Sequence, residues 1–147
     1  MNHHVVFTRF TEMSENLKIL EEFKAISFAE FARDPKIYKL AERCFQLCIE
    51  CIIDIAHYLI AQNQWEQPVN TKEAILALGD HEVLPELFAE SIAGMAGFRN
   101  ILVHGYTRID RAIVYDHLKK LEDFQGFQKY ILEHLDKQAP PNTPPTP

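Results

Sequence analysis

Glycine is scarce in this chain, with 5 in 147 residues, and no alternating polar–apolar run reads as a strand. A fibrous or disordered chain is excluded, and a helix-rich globule remains. No uninterrupted apolar run reaches the roughly 18 residues that span a bilayer. Met1-Asn2-His3-His4 lacks a basic region followed by a hydrophobic stretch, so no secretory signal is expected. Basic residues are outnumbered, 15 against 21, for a net charge of −6. That balance argues against tight, nonspecific coating of nucleic acid, and it leaves room for a small basic cleft or a basic partner. Cys44, Cys48 and Cys51 are the only cysteines. An odd number on one predicted helix disfavours a disulfide scaffold and points to reduced thiols in the cytoplasm. Equally missing are a Gly-rich phosphate loop, a Gly-x-Ser-x-Gly elbow and a His-Glu-x-x-His run. His3, His4, His81, His117 and His134 have no partner at metal-ligand spacing.

What is present reads as helices joined by short loops. The first is predicted from a cap at Thr11 or Ser14 to about Arg33, with a buried face of Leu17, Leu20, Phe23 or Lys24, and Phe28 or Phe31. Asp34-Pro35 punctuates it. A second helix is predicted from Pro35 to Gln62. Steps of 100° place Leu40, Cys44, Cys48, Cys51, Ile55 and Leu59 on one stripe, and Arg43, Gln46, Glu50, Asp54 and His57 on another. The polar seam is either a solvent face or the lining of a cleft or subunit interface. Ile49, Ile52, Ile53 and Ile60 fill the remaining circumference and favour the interface. Asn70 with Glu73 reads as a capping box for a short helix ending at Gly79-Asp80. Leu84-Pro85 opens another that continues toward Val103. Within it Gly94 and Gly97 call for compensation by a closely approaching helix or ligand. The last helical region follows Ile109-Asp110 and runs to about Leu135, with a break at Gly126. The expected architecture is an all-α, up-and-down four-helix bundle with additional short helices, in a single domain over 1–138. Residues 139–147, rich in proline, are expected to be extended and mobile.

Two constellations carry possible chemistry. Cys44, Cys48 and Cys51 have the spacing of an iron–sulfur ligand set, yet they lie mid-helix along an apolar stripe, which favours core packing. Arg99, Asn100, His104 and Tyr106 bring a guanidinium, an amide, an imidazole and a phenol into eight residues. One reading is a helix end, with Arg99 paired to a carboxylate, His104 at the C-terminal dipole and Gly105 in a left-handed turn. The other is a phosphodiester site, with Arg99 on the phosphate and His104 moving protons. In a continuous helix these two side chains point about 140° apart. A helix ending at Val103 would let both face one groove.

Arg-x4-His-x-Tyr, preceded by Met95-Ala96-Gly97-Phe98, resembles the signature of HepT-like toxins in the HEPN superfamily. Glu42-Arg43, Gln46, Glu50 and Asp54-Ile55-Ala56-His57-Tyr58-Leu59-Ile60 are similar to the same family. So are the Leu84-Pro85 helix entry and the step from Tyr106 through Ile109-Asp110, and the likeness covers roughly residues 10–135. The resemblance implies a HEPN-like fold, a homodimer with Arg and His of both copies meeting at the interface, and a metal-independent endoribonuclease without cofactor. Carried over, Arg99 binds the scissile phosphate of an RNA substrate, and His104 is general base or acid. Asn100 and Arg43 support the RNA. Tyr106 is the residue to which an MntA-type nucleotidyltransferase antitoxin adds AMP. The alternative is a noncatalytic helical subunit that binds a nucleotide or a nucleotidyltransferase.

Overall fold

The computed structural model describes residues 2–105 and 108–139; the proline-rich residues from 140 onward lie outside it. The longest element, α3 (Pro35–Gln62), has the predicted bounds. Asp34 caps it through a side chain that accepts from the Lys36 N–H, with Pro35 in the first turn where no N–H is needed. Ala41, Cys44, Phe45, Cys48, Ile49, Cys51, Ile52, Ile55, Ala56, Leu59 and Ile60 are all buried, so α3 is the central post of the core. Each of its fully buried isoleucines contributes roughly 1.5–3 kcal/mol through burial. By length and composition α3 could also cross a membrane, but 61% of its most apolar window is buried inside the protein. Leu40, expected on the buried stripe, is 42% exposed, because α3 emerges from the core near its start.

Around this post pack α1 (His4–Phe23), α2 (Phe28–Arg33), α4 (Thr71–Asp80), α5 (Glu86–Ala93), α6 (Met95–His104), α7 (Arg111–His117) and α8 (Glu122–Gln138). Taking α5–α6 and α7–α8 each as one interrupted helix gives four principal helices with α1 and α3. No strand occurs among the described residues.

Several local expectations need correction. The first helix starts at His4, well before Thr11, because the apolar face continues backward through Met13, Phe10 and Val6. Thr11 instead donates its hydroxyl to the Phe7 carbonyl one turn earlier at 3.1 Å. That helix also stops at Phe23, and Ser27 caps the separate α2 by accepting from the Glu30 N–H. Asn70 does cap α4, accepting from the Glu73 N–H at 2.9 Å. That helix ends at Gly79-Asp80 as expected, and the missing Cβ of Gly79 admits Ala89 of α5, which would sit 2.8 Å from an added methyl. The left-handed residue is Glu82, with φ 60°. The break in the last helix falls at the 3-10 turn Leu118–Lys120, not at Gly126. Gly126 lies within α8, where an added Cβ would meet the Phe88 ring at 3.3 Å. Gly94 does separate α5 from α6, but neither it nor Gly97 has any atom within 4 Å of an added Cβ. Within one chain, then, no helix packs against these two glycines.

The cysteines are free and buried. Burial pushes the Cys44 and Cys48 thiols up and lifts that of Cys51 to about 12. They behave as small apolar side chains.

Candidate active site at the end of α6

Phe98 seats α6. It is buried, with its ring 5.5 Å from that of Phe45 on α3 and stacked 3.7 Å from that of His117 on α7. The next residue, Arg99, therefore leaves α6 at the edge of the core, beside the polar seam of α3. Its side chain is 30% exposed, and Nη2 lies 3.6 Å from Glu50 Oε1. Gln46, one turn earlier on α3, donates Nε2 to that same carboxylate oxygen at 3.1 Å. Arg99 Nε is buried and has no hydrogen-bond partner. An Arg guanidinium offers five N–H donors. This one stands beside a carboxylate with its side chain 30% exposed, while its Nε is sealed from solvent without a partner.

Asn100 and His104 lie one turn apart on an exposed face of α6. His104 is the final helical residue. The bend expected after Val103 comes one residue later, at Gly105, whose N–H closes on the Ile101 carbonyl at 2.9 Å. Gly105 is not in a left-handed turn either: its φ is −78°. It is needed for space, since an added Cβ would stand 2.6 Å from the Ile101 oxygen and 2.9 Å from Ile109 Cγ1. Because the helix continues through His104, the guanidinium and imidazole of one chain are set about 140° apart around its axis. The peeling that would have joined them within one chain does not occur. Arg43 is exposed on the α3 seam, one turn before Gln46. Tyr106 lies outside the described residues. Among the described residues no group of three or more His, Cys, Asp or Glu is arranged to hold a metal ion.

The sequence placed Glu50 and Gln46 on the seam and allowed Arg99 a carboxylate partner, without saying that the partner is Glu50. The signal was their spacing: 46 and 50 are one helical turn apart and face the same way, so Gln46 can orient the carboxylate that meets Arg99.

With this arrangement in view, residues 13–131 match the model of the ribonuclease HepT-like family. The chain belongs to that family. Over 106 residues it is 29% identical to the tRNA nuclease HepT of Aphanizomenon flos-aquae, covering 72% of each protein. Over 100 residues it is 31% identical to the mRNA nuclease HepT of Shewanella oneidensis, covering 67% of this chain and 75% of that protein. The HepT-like fold is shared with a solved tri-AMPylated Shewanella oneidensis HEPN toxin in complex with an MNT antitoxin. Its TM-score is 0.79 at 24% identity, over 89% of this chain and 98% of that one. The Bacillus subtilis cytosolic protein YutE superposes with a TM-score of 0.84 at 19% identity, over 97% and 96% of the two chains.

Proposed function

We propose that this HepT-like chain is a cytoplasmic endoribonuclease toxin that cleaves RNA without a metal and is opposed by a nucleotidyltransferase antitoxin. The observation that carries this reading is Arg99, held by Glu50 yet with unused donors, on the same helix as the exposed imidazole of His104. In the reaction, one imidazole takes the proton of the 2′-hydroxyl as its oxygen attacks the adjacent phosphorus. The bond from phosphorus to the 5′ oxygen breaks, and a protonated imidazole supplies the proton to that leaving oxygen. The products are a 2′,3′-cyclic phosphate and a 5′-hydroxyl. Arg99 neutralises the charge that grows on the phosphorane oxygens. Asn100 and Arg43 contact the RNA backbone.

The angle between Arg99 and His104 on α6 gives the homodimer a physical reason. Acid, base and guanidinium come together only when a second copy brings its own α6 across a two-fold axis. Gly94, Gly97 and the 42% exposed Ile101 form an unpartnered stripe on α5–α6 that suits such an approach. Addition of AMP to Tyr106 would place negative charge and bulk next to His104 in sequence and repel RNA.

Incubating the protein with RNA in EDTA is the direct test. Cleavage that yields cyclic phosphate ends and disappears in His104→Ala is expected. If His104→Ala cuts as fast as the parent, the role is wrong. If the parent binds RNA or the nucleotidyltransferase without cutting, the noncatalytic subunit stands in its place. Tyr106→Phe should abolish AMP transfer and keep the nuclease.

A further inference from the structure

A cavity of about 470 Å³ lies between α2 and the connection from α6 to α7. Its walls include Phe28 and Ala32 of α2, Arg108 and Ile109 of the connection, and Asp110 and Ala112 at the start of α7. Phe28 is a large aromatic that remains 44% exposed. It is not loose: its ring meets Tyr115 edge-on at 5.3 Å, and the Tyr115 hydroxyl donates to the Ile26 carbonyl at 2.6 Å, fixing the turn before α2.

The polar groups around it divide by how far they are committed. Arg111 donates Nη1 to the Ala32 carbonyl at 2.9 Å and stacks on Tyr38 at 3.9 Å, so it serves as wall. Asp110 accepts from the Ala112 N–H at 2.9 Å through one carboxylate oxygen. Arg108 is exposed, and none of the ion pairs among the described residues engages it. The cavity walls carry two cations, Arg108 and Arg111, against one anion, Asp110, whereas the chain as a whole carries −6. An exposed aromatic face beside an uncommitted guanidinium is the pairing that binds single-stranded nucleic acid, the ring stacking a base and the cation taking a phosphate. Arg108 follows His104 by four positions, a reach of at most about 14 Å.

We propose that this cavity is a nucleotide subsite, holding an RNA residue that flanks the scissile phosphate with its base on Phe28 and its phosphate on Arg108. The proposal rests on the ribonuclease reading and adds to it the two residues that grip the substrate beside the cut.

The test measures fluorescence anisotropy of a labelled single-stranded oligoribonucleotide on His104→Ala protein, so that binding is read apart from cutting. Phe28→Ala is expected to weaken binding about tenfold and Phe28→Tyr to leave it intact. Arg108→Ala is expected to weaken binding about fivefold and to lower the salt dependence by about one released ion, with Arg108→Lys restoring it. In the otherwise native protein, Phe28→Ala and Arg108→Ala should raise KM and shift the positions cut. Melting temperatures of the variants separate lost binding from lost fold. Affinities within twofold of the parent for both alanine variants would overturn the subsite, as would a parent that binds no RNA. Unchanged variants in a protein that still cuts sink the subsite alone. A protein that binds through Phe28 and Arg108 but never cuts sinks the nuclease reading alone.

Discussion

Two arginines reach the polar seam of α3 one turn apart, and they are held differently. Arg9, from α1, donates Nε to Asp54 at 2.9 Å, a direct hydrogen-bonded pair between partly exposed groups. Arg99, from α6, stands 3.6 Å from Glu50, whose nearer oxygen is already shared with Gln46, and its Nε is buried without a partner. The first arrangement uses the arginine to tie two helices together. The second keeps a guanidinium beside a carboxylate while its buried Nε goes without a partner, which costs stability. Under the function proposed above, the same residue types on one seam serve as a strut in one place and as a phosphate contact in the next.

The sharpest way to break this contrast is to delete each arginine. Arg99→Ala is expected to lower RNA cleavage by roughly 100- to 1000-fold, the range for losing one charge-stabilising donor, with the protein still folded by circular dichroism. Arg9→Ala should leave cleavage within about twofold. Equal losses in the two variants would erase the distinction. Glu50→Gln tests the anchor: the carboxamide keeps the shape and removes the charge, so cleavage should drop about tenfold through kcat while Arg99 loses its orientation. A loss confined to KM would mean that Glu50 only shapes binding.

The seam matters to catalysis only if a second α6 faces it. Gly97→Arg adds a side chain where nothing lies within 4 Å in one chain, so the fold should persist. Light scattering should then report a monomer, and cleavage should fall with it. A dimeric, active Gly97→Arg protein would move the interface elsewhere.

A smaller effect concerns His117, which supports α6 by stacking on Phe98. Burial lowers its pKa below the ordinary 6.5; Lys120 acts in the same direction, opposed by the hydrogen bond to the Ile113 carbonyl and by Asp116. The unfolded chain therefore takes up a proton at a pH where the folded one does not. Stability is full above about pH 6.5 and declines as pH falls toward the folded value. His117→Phe keeps a ring against Phe98 and should flatten that part of a melting-temperature profile between pH 7.5 and 5. The smallest effect belongs to the strut. Asp54→Ala should cost less than about 1 kcal/mol in urea unfolding, because both partners are partly exposed to solvent.

What could be read before folding depended on whether the cause was local. The bounds of α3 were legible because Asp34-Pro35 announces its start and a long apolar stripe beside a polar seam runs to its end. The Asn70 cap was legible for the same kind of reason. The early start of α1 was legible in principle, in Val6, Phe10 and Met13, but a search for a capping hydroxyl drew the boundary to Thr11. The end of α4 at Gly79-Asp80 was legible, but Gly105 and Gly126 were misread as conformational signals, whereas each answers to a neighbour, Ile109 and Phe88. Arg99 and His104 stood out as chemistry, but the pairing of Arg99 with Glu50 needed the packing of α6 on α3. No periodicity within α6 could supply it.

The three sealed cysteines have a practical consequence. A thiol with no access to solvent and little tendency to ionise reacts with a labelling reagent only when the helices around it part. Cys44, Cys48 and Cys51 are thus built-in clocks for opening of the bundle, readable by mass spectrometry without any added probe. Whether antitoxin or RNA slows those clocks would tell, residue by residue along α3, how far an event at the protein surface is felt in its middle.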